Sequence, residues 1–206
     1  MPRSSPKPDT VGIRARLSGA KVGLPLAKRV SAIFSHTASR VTWHSHKQFE
    51  LLFVLDGSTV YEFRGCDPIE LAGGHFMVVP PGRMHRGEQD LRMPTTLLGI
   101  VLAFDVRGAT RNTPFTVREL GWMRRHFNAN SLTVHPLGQD LRRTIVQLDK
   151  KLGGKKTKQD ELSMAETRLL VCSAISGAAR QLSAVDDHDS QFIVNAAIDY
   201  MRAHLN

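Results

Sequence analysis

Three histidines and one glutamate stand out by their spacing. His44 and His46 lie two apart, and Glu50 follows four residues later. On an extended strand the three positions share one parity, so their side chains leave the same face and can converge. A fourth residue, His85, closes the segment Gly74-His75-Phe76-Met77-Val78-Val79-Pro80-Pro81-Gly82-Arg83-Met84-His85. Imidazoles with a carboxylate suit a first-row divalent ion, and on a six-coordinate ion they leave positions open for water or a small ligand. Iron, manganese, nickel and zinc all fit such a donor set. The same side chains can instead be hydrogen-bonding groups lining a pocket for an organic molecule, and the residues alone leave both readings open. Arg83 and Arg86 flank His85 and are expected at the pocket rim, where a guanidinium can pair with an anion.

The two segments resemble the paired motifs of the cupin superfamily. The first follows H-x-H-x3-E-x6-G at His44, His46, Glu50 and Gly57; the second follows G-x5-P-x-G-x2-H at Gly74, Pro80, Gly82 and His85. Ala38 and Gln89 depart from the pattern at positions where the family carries glycine and asparagine. The resemblance implies a small β-barrel with His44, His46, Glu50 and His85 as metal ligands in its mouth.

The elements that must position these residues are short and rich in β-formers. Strands are expected at Val41–His46, Glu50–Asp56, Ser58–Arg64, Ile69–Leu71, His75–Val79, His85–Glu88 and Thr95–Phe104, with Val30–Ser35 opening the ordered part. Asp56-Gly57 predicts a hairpin, and Pro80-Pro81-Gly82 a bend that presents His85. Trp43, Phe53, Phe63, Phe76 and Phe104 are expected in the barrel core. From Thr113 the period changes. Thr116 and Glu119 fit a capping box ahead of a helix, and Leu137, Leu141, Ile145, Leu148 and Leu152 form one helical stripe. A second helix is expected from Asp160 to Ser183, with Leu162, Ala165, Leu169, Cys172 and Ala179 on its apolar face and Ser163 with Glu166 as its cap pair. The two helices form a hairpin that packs on the barrel, pairs two protomers, or does both. An acidic turn at Asp186–Asp189 then precedes a terminal helix with Ile193, Ala197 and Leu205 on one stripe. The fold class is therefore mainly β with α: a small barrel, a C-terminal helical hairpin and a terminal helix.

At 206 residues the chain suffices for one barrel with an appended helical part. Hydrophobic content of 41% and charged content of 23% are those of a soluble globular protein. No apolar run reaches membrane-spanning length and Met1–Arg29 has no signal-peptide block, so a cytoplasmic protein without membrane partners is expected. Cys66 and Cys172, two thiols far apart, suggest neither a zinc knuckle nor a disulfide framework. The net charge of +9 is unevenly spread. Residues 1–29 are strongly basic, residues 30–104 are close to neutral, and Lys150, Lys151, Lys155, Lys156 and Lys158 cluster later; both basic clusters read as a solvated tail and loop or as phosphate-attracting patches. No P-loop, dinucleotide fingerprint or G-x-S-x-G appears.

The order of barrel, helical hairpin and a last helix of the form I-x3-A-x2-Y-[MI] resembles the AraC family of bacterial transcription regulators. The resemblance implies four parts: a basic flexible arm over 1–29, a ligand-binding barrel over 30–112, a helical dimerisation region over 113–185, and over 186–206 the start of a helix-turn-helix DNA-binding domain whose remainder is not in this chain. It implies a small-molecule effector, a homodimer, and DNA contacts made through that further domain. The rival reading is a metal-dependent cupin enzyme acting on a small acid or sugar, with no residue assigned as general base.

Overall fold

The computed structural model of the chain describes residues 13–154 and 160–204, with residues 13–14 and 184–204 as backbone alone. Strands β1 (Ile13–Ser18), β2 (Ala27–Phe34), β4 (Phe49–Phe63), β6 (His75–Val79), β9 (Thr95–Leu102) and β10 (Val134–Pro136) pair in the order β1-β2-β9-β4-β6-β10. Strands β5 (Ile69–Ala72) and β7 (His85–Gly87) pair with the far half of β4, and β3 (Ser39–Arg40) pairs with β8 (Leu91–Arg92). Every one of these ladders is antiparallel. Helices α2 (Val117–Ala129), α3 (Gln139–Gly153) and α4 (Glu161–His204) follow, and a single turn, α1 (Gly19–Val22), joins β1 to β2.

The expected break at Asp56-Gly57 is instead the middle of one long strand. Between Val54 and Asp56 the pairing of β4 with β9 slips by a residue, and Gly57 takes φ +80°, which bends the strand without ending it. A Cβ at Gly57 would stand 2.4 Å from the Pro94 carbonyl oxygen, so glycine is required for the bend. Residues before the bend pair with β6 and β9, and residues after it pair with β5 and β7. Strand β4 thereby belongs to both sheets of a β-sandwich.

Period-two alternation assigns each strand residue to one of two faces. Phe49, Leu51 and Phe53 of β4, Phe76 and Val78 of β6, and Leu98, Ile100 and Leu102 of β9 join one apolar cluster with residues of α2, α3 and α4. Their neighbours Leu52, Val54, Met77, Val79 and Leu97 face the other way, into a second cluster inside the sandwich with Tyr61, Phe63 and Leu71.

The helical part follows the expected stripe in α3, where Leu141, Ile145 and Leu148 are buried, and the capping box of α2 is formed, with Thr116 Oγ1 accepting from Glu119 N–H and Glu119 Oε2 accepting from Thr116 N–H. Leu141 packs on Gly177, Gly138 lies beside Gln181, and Lys151 pairs with Glu166, so α3 and α4 run antiparallel. The hairpin covers the outer face of the barrel. The face of α4 agrees with expectation only in part. Cys172 and Ala179 are buried as expected, beside Val171, Ala174, Ile175, Ala178 and Leu182, but Leu162 and Leu169 are 69% and 64% exposed. Small residues on that side let α3 approach closely, so fit rather than side-chain size selects the buried stripe. Asp160, not Ser163, caps α4 by accepting from Ser163 N–H at 2.7 Å.

Three further expectations are corrected. Residues 13–29, expected within a loose arm, form β1, α1 and the start of β2; Ile13, Ala15 and Leu17 alternate with polar residues as an edge strand requires. Residues 41–46 form no strand and are held by an isolated bridge between His44 and His85. The backbone of α4 runs through Asp186–Asp189 to His204 with no turn, since neither glycine nor proline follows Gly177. Residues 1–12 and Lys155, Lys156 and Lys158, with their part of the charge reading, lie outside the described residues. No helix among the described residues is long and apolar enough to cross a membrane.

Candidate metal centre and arginine-lined pocket

The two sequence motifs are laced together by backbone hydrogen bonds. His44 and His85 exchange a reciprocal pair, each N–H donating to the other's carbonyl at 2.9 Å, and Gly82 N–H donates to the His46 carbonyl at 2.6 Å. The loop that carries His44 and His46 is thus clamped to the strand and bend that carry His85. Glu50 comes from β4, where its inward parity places it beside Val79 of β6 and Val101 of β9. Ring centroids of His44 and His85 lie 4.2 Å apart, those of His44 and His46 5.2 Å, and those of His46 and His85 5.7 Å.

The donor atoms of His44, His46, Glu50 and His85 all lie within 4.8 Å of one another. Two ligands on opposite sides of an ion, each at about 2.1 Å, would be ~4.2 Å apart, so only a small contraction is needed for all four to share one ion. Tautomers are favourable too. His44 Nδ1 stands 2.7 Å from the Thr42 carbonyl and His85 Nδ1 2.9 Å from the Arg83 carbonyl. A carbonyl only accepts, so both Nδ1 atoms carry the proton and both Nε2 lone pairs are left for a ligand, the outer-shell arrangement usual for metal-binding imidazoles. His46 Nε2 is buried, 3.2 Å from Glu50 Oε2, with no hydrogen bond between them, and His85 Nε2 is 3.5 Å from the same oxygen. Two imidazole nitrogens turned to one buried carboxylate oxygen make a position that a cation would complete.

Electrostatics point the same way. Burial pushes the Glu50 carboxyl up, but the imidazoles of His46 and His85 more than reverse this and hold it well below the usual carboxylate range. Burial lowers His44 below the ordinary imidazole value and keeps it neutral, the form that binds a metal. Nearby Tyr61 is pushed up to about 12 by burial and keeps its hydroxyl proton.

The nest opens into a cavity of about 280 Å³. Arg83 and Arg86 are not among its lining residues. Arg86 donates to Glu62 and Asp90 and lies over the Trp43 ring, 4.8 Å from its centroid, so Trp43 is a platform for guanidiniums rather than core. Arg83 turns to Cys66 Sγ. Four other guanidiniums line the cavity: Arg16, Arg29, Arg40 and Arg92. Arg29 stands one strand from Glu50, across Val101, and reaches Glu50 Oε1 at 3.5 Å. Arg16 lies opposite Ser31, and Arg40 and Arg92 come from the β3–β8 ladder. Gly99, between Ser31 and Leu52 in the cross-strand row, leaves the floor open: a Cβ there would lie 3.7 Å from Glu50 Oε1. Nothing in the local sequence marks these arginines, because they come from four separate segments; β-alternation around Arg29, Ser31 and Ile33 was the only available signal.

The model of the AraC-like ligand binding domain matches residues 30–171, and the chain belongs to that family. The match runs from within β2 through the remaining strands, α2 and α3 into the first part of α4, and leaves out β1 and α1. The fold is an antiparallel β-sandwich followed by helices, and solved structures are similar to part of it. Oxalate decarboxylase from Bacillus subtilis is 15% identical, with 42% of this chain and 24% of that chain covered at a TM-score of 0.36. A putative mannose-6-phosphate isomerase from Ralstonia eutropha JMP134 is 21% identical, with 49% and 98% covered at a TM-score of 0.33. The aligned part thus spans about a quarter of the oxalate decarboxylase chain. A search of curated proteins found no match.

Proposed function

We propose that the chain is the effector-sensing and dimerisation part of an AraC-like transcription regulator, with the effector bound in the cavity above the His44, His46, Glu50 and His85 nest. The observation that carries this reading is the family match, which extends beyond the barrel through α2 and α3 into α4. An inner site and an outer helical hairpin built on the same strands give a ligand a physical route to the helices, since Leu52 and Val54 face the cavity side while Phe49, Leu51 and Phe53 contact the helical cluster. In this reading residues 113–185 pair two protomers, and the segment from 186 onward leads to a DNA-binding domain that acts on DNA in the cytoplasm. The four-residue nest would hold one divalent transition ion, which would supply a Lewis-acidic anchor for an oxygen of the effector. The protein's own groups would orient that oxygen, and the Thr42 and Arg83 carbonyls fix the imidazole tautomers of His44 and His85.

Translation of the gene beyond Asn206 tests the sensor reading. A double helix-turn-helix in the same frame is the expected result, and a stop codon with no such domain encoded would remove the reading. The metal-dependent enzyme reading is favoured by one observation, the nest of three histidines and a carboxylate. Turnover of a small acid by the metal-loaded chain, lost on His46→Ala, would select it.

A further inference from the structure

The charge of the cavity does not follow from the charge of the barrel segment. Four guanidiniums line the cavity, and Glu50 is the one carboxylate among the lining residues, already engaged with His46, His85 and Arg29. Arg92 is only 8% exposed; it donates to Ser39 Oγ at 2.9 Å, but its buried Nε has no hydrogen-bond partner. Ser31 Oγ, also on the cavity wall, is buried without a partner. Among the described residues Arg16, Arg40 and Arg92 form no ion pair with a carboxylate. A desolvated guanidinium with an open N–H is costly unless an acceptor arrives, and buried positive charge calls for an anion.

On the reading of the cavity as an effector site, we infer that the effector is a small dicarboxylic acid gripped by Arg16 and Arg29 from the β1–β2 side and by Arg40 and Arg92 from the β3–β8 ladder. Two pairs of guanidiniums on two different ladders, with only Arg29 already paired to Glu50, match a ligand charged at both ends better than a monoanion, which would leave either Arg16 or Arg40 and Arg92 without a counter-charge. Guanidinium forks match carboxylate geometry two hydrogen bonds at a time. Size agrees: about 280 Å³ is the liquid share of roughly nine waters at ~30 Å³ each, room for a di-acid of four to six carbons. One of its carboxylate oxygens would lie toward the histidine nest, and its apolar middle against Ile33, Leu52 and Leu97.

Calorimetric titration of the full chain, metal-free and zinc-loaded, with succinate, its neutral isostere succinamide, acetate and inorganic phosphate tests the assignment. Succinate should bind at least about 10-fold more tightly than succinamide or acetate, with the bound acid recovered unchanged. Arg40→Gln, at an exposed position where folding is not at risk, and Arg92→Gln should each weaken succinate by about 10-fold or more, the usual loss for a charge-assisted pair, while zinc stoichiometry stays the same. Equal binding of succinamide, absence of succinate binding to a zinc-loaded chain, or phosphate that binds more tightly than succinate would each overturn the di-acid. None of those results touches the sensor reading, which stands or falls on the encoded DNA-binding domain. Conversely, succinate binding in a chain whose gene stops at Asn206 would keep the anion class and discard the sensor.

Discussion

The two faces of the central sheet do opposite work from alternating residues of the same strands. Phe49, Leu51 and Phe53 press outward on the helices, while Glu50, Leu52 and Val54 point into the sandwich. The outer face is continuous and apolar, closed by the hairpin of α3 and α4. The inner face is apolar at its base, with Met77, Val79 and Leu71, and becomes polar toward its mouth with Glu50, three imidazoles and four guanidiniums. The difference teaches how the molecule keeps a site full of costly groups. Apolar burial on the outer face, at roughly 25 cal/mol per Å², secures the fold, so that the inner face can leave His46 Nε2, Ser31 Oγ and Arg92 Nε without partners.

Substitutions that separate the faces test that division. The largest stability loss should come from Phe53→Ala, a fully buried side chain on the outer face: about 3–5 kcal/mol in denaturant unfolding, as for other large-to-small core changes. Zinc stoichiometry measured below the new transition should not change. If metal binding were lost along with stability, the two faces would not be separable. His46→Ala on the inner face should do the reverse, lowering zinc affinity by at least about 100-fold by competition with a chelator while the metal-free chain loses far less stability than with Phe53→Ala. Retained affinity would show that the nest does not act through His46.

Acidification should expose the inner face next. His44 is held below its ordinary value of 6.5 by burial, so the folded chain resists a proton that the unfolded chain accepts; this contribution is complete above pH 6.5 and is lost as pH falls below it. Glu50, held below 4.5, acts in the same sense: its contribution is present above pH 4.5 and lost on further acidification. The melting temperature of the metal-free chain should fall as pH drops from 7.5, and His44→Gln should flatten the part of the curve just below pH 6.5. An unchanged slope in that variant would contradict the burial of a neutral imidazole. Smallest is Thr116→Ala, which removes the cap of α2 and should cost about 1 kcal/mol in unfolding with no effect on metal or ligand binding.

Much of this was legible in the residues, and the misses share a cause. The ligand nest could be read because its members lie in two short segments, and the reciprocal bonds between His44 and His85 bring the segments together even though 41–46 is not a strand. Helix α3 could be read because its apolar stripe is buried, between α4 and the outer face of the strands. Helix α4 could be read only in part: Cys172 and Ala179 lie on its buried side, but the fit against α3 at Gly177, rather than the size of Leu162 and Leu169, set where that side runs. The dipeptide Asp56-Gly57 signals a turn equally well whether the chain reverses or bends through a bulge, and only the partners on either side decide.

By itself the sequence determined which residues could bind an ion, that Thr116 and Glu119 would cap α2, and which residues of each strand share a face. These properties are local, set by side-chain chemistry and by the periods of strand and helix. Tertiary structure alone decided the charge of the pocket. Arg16, Arg29, Arg40 and Arg92 are scattered over a segment read as a tail and a barrel segment close to neutral, and antiparallel register turns them toward one cavity. Net charge adds along a chain, but the field that a ligand meets adds through space.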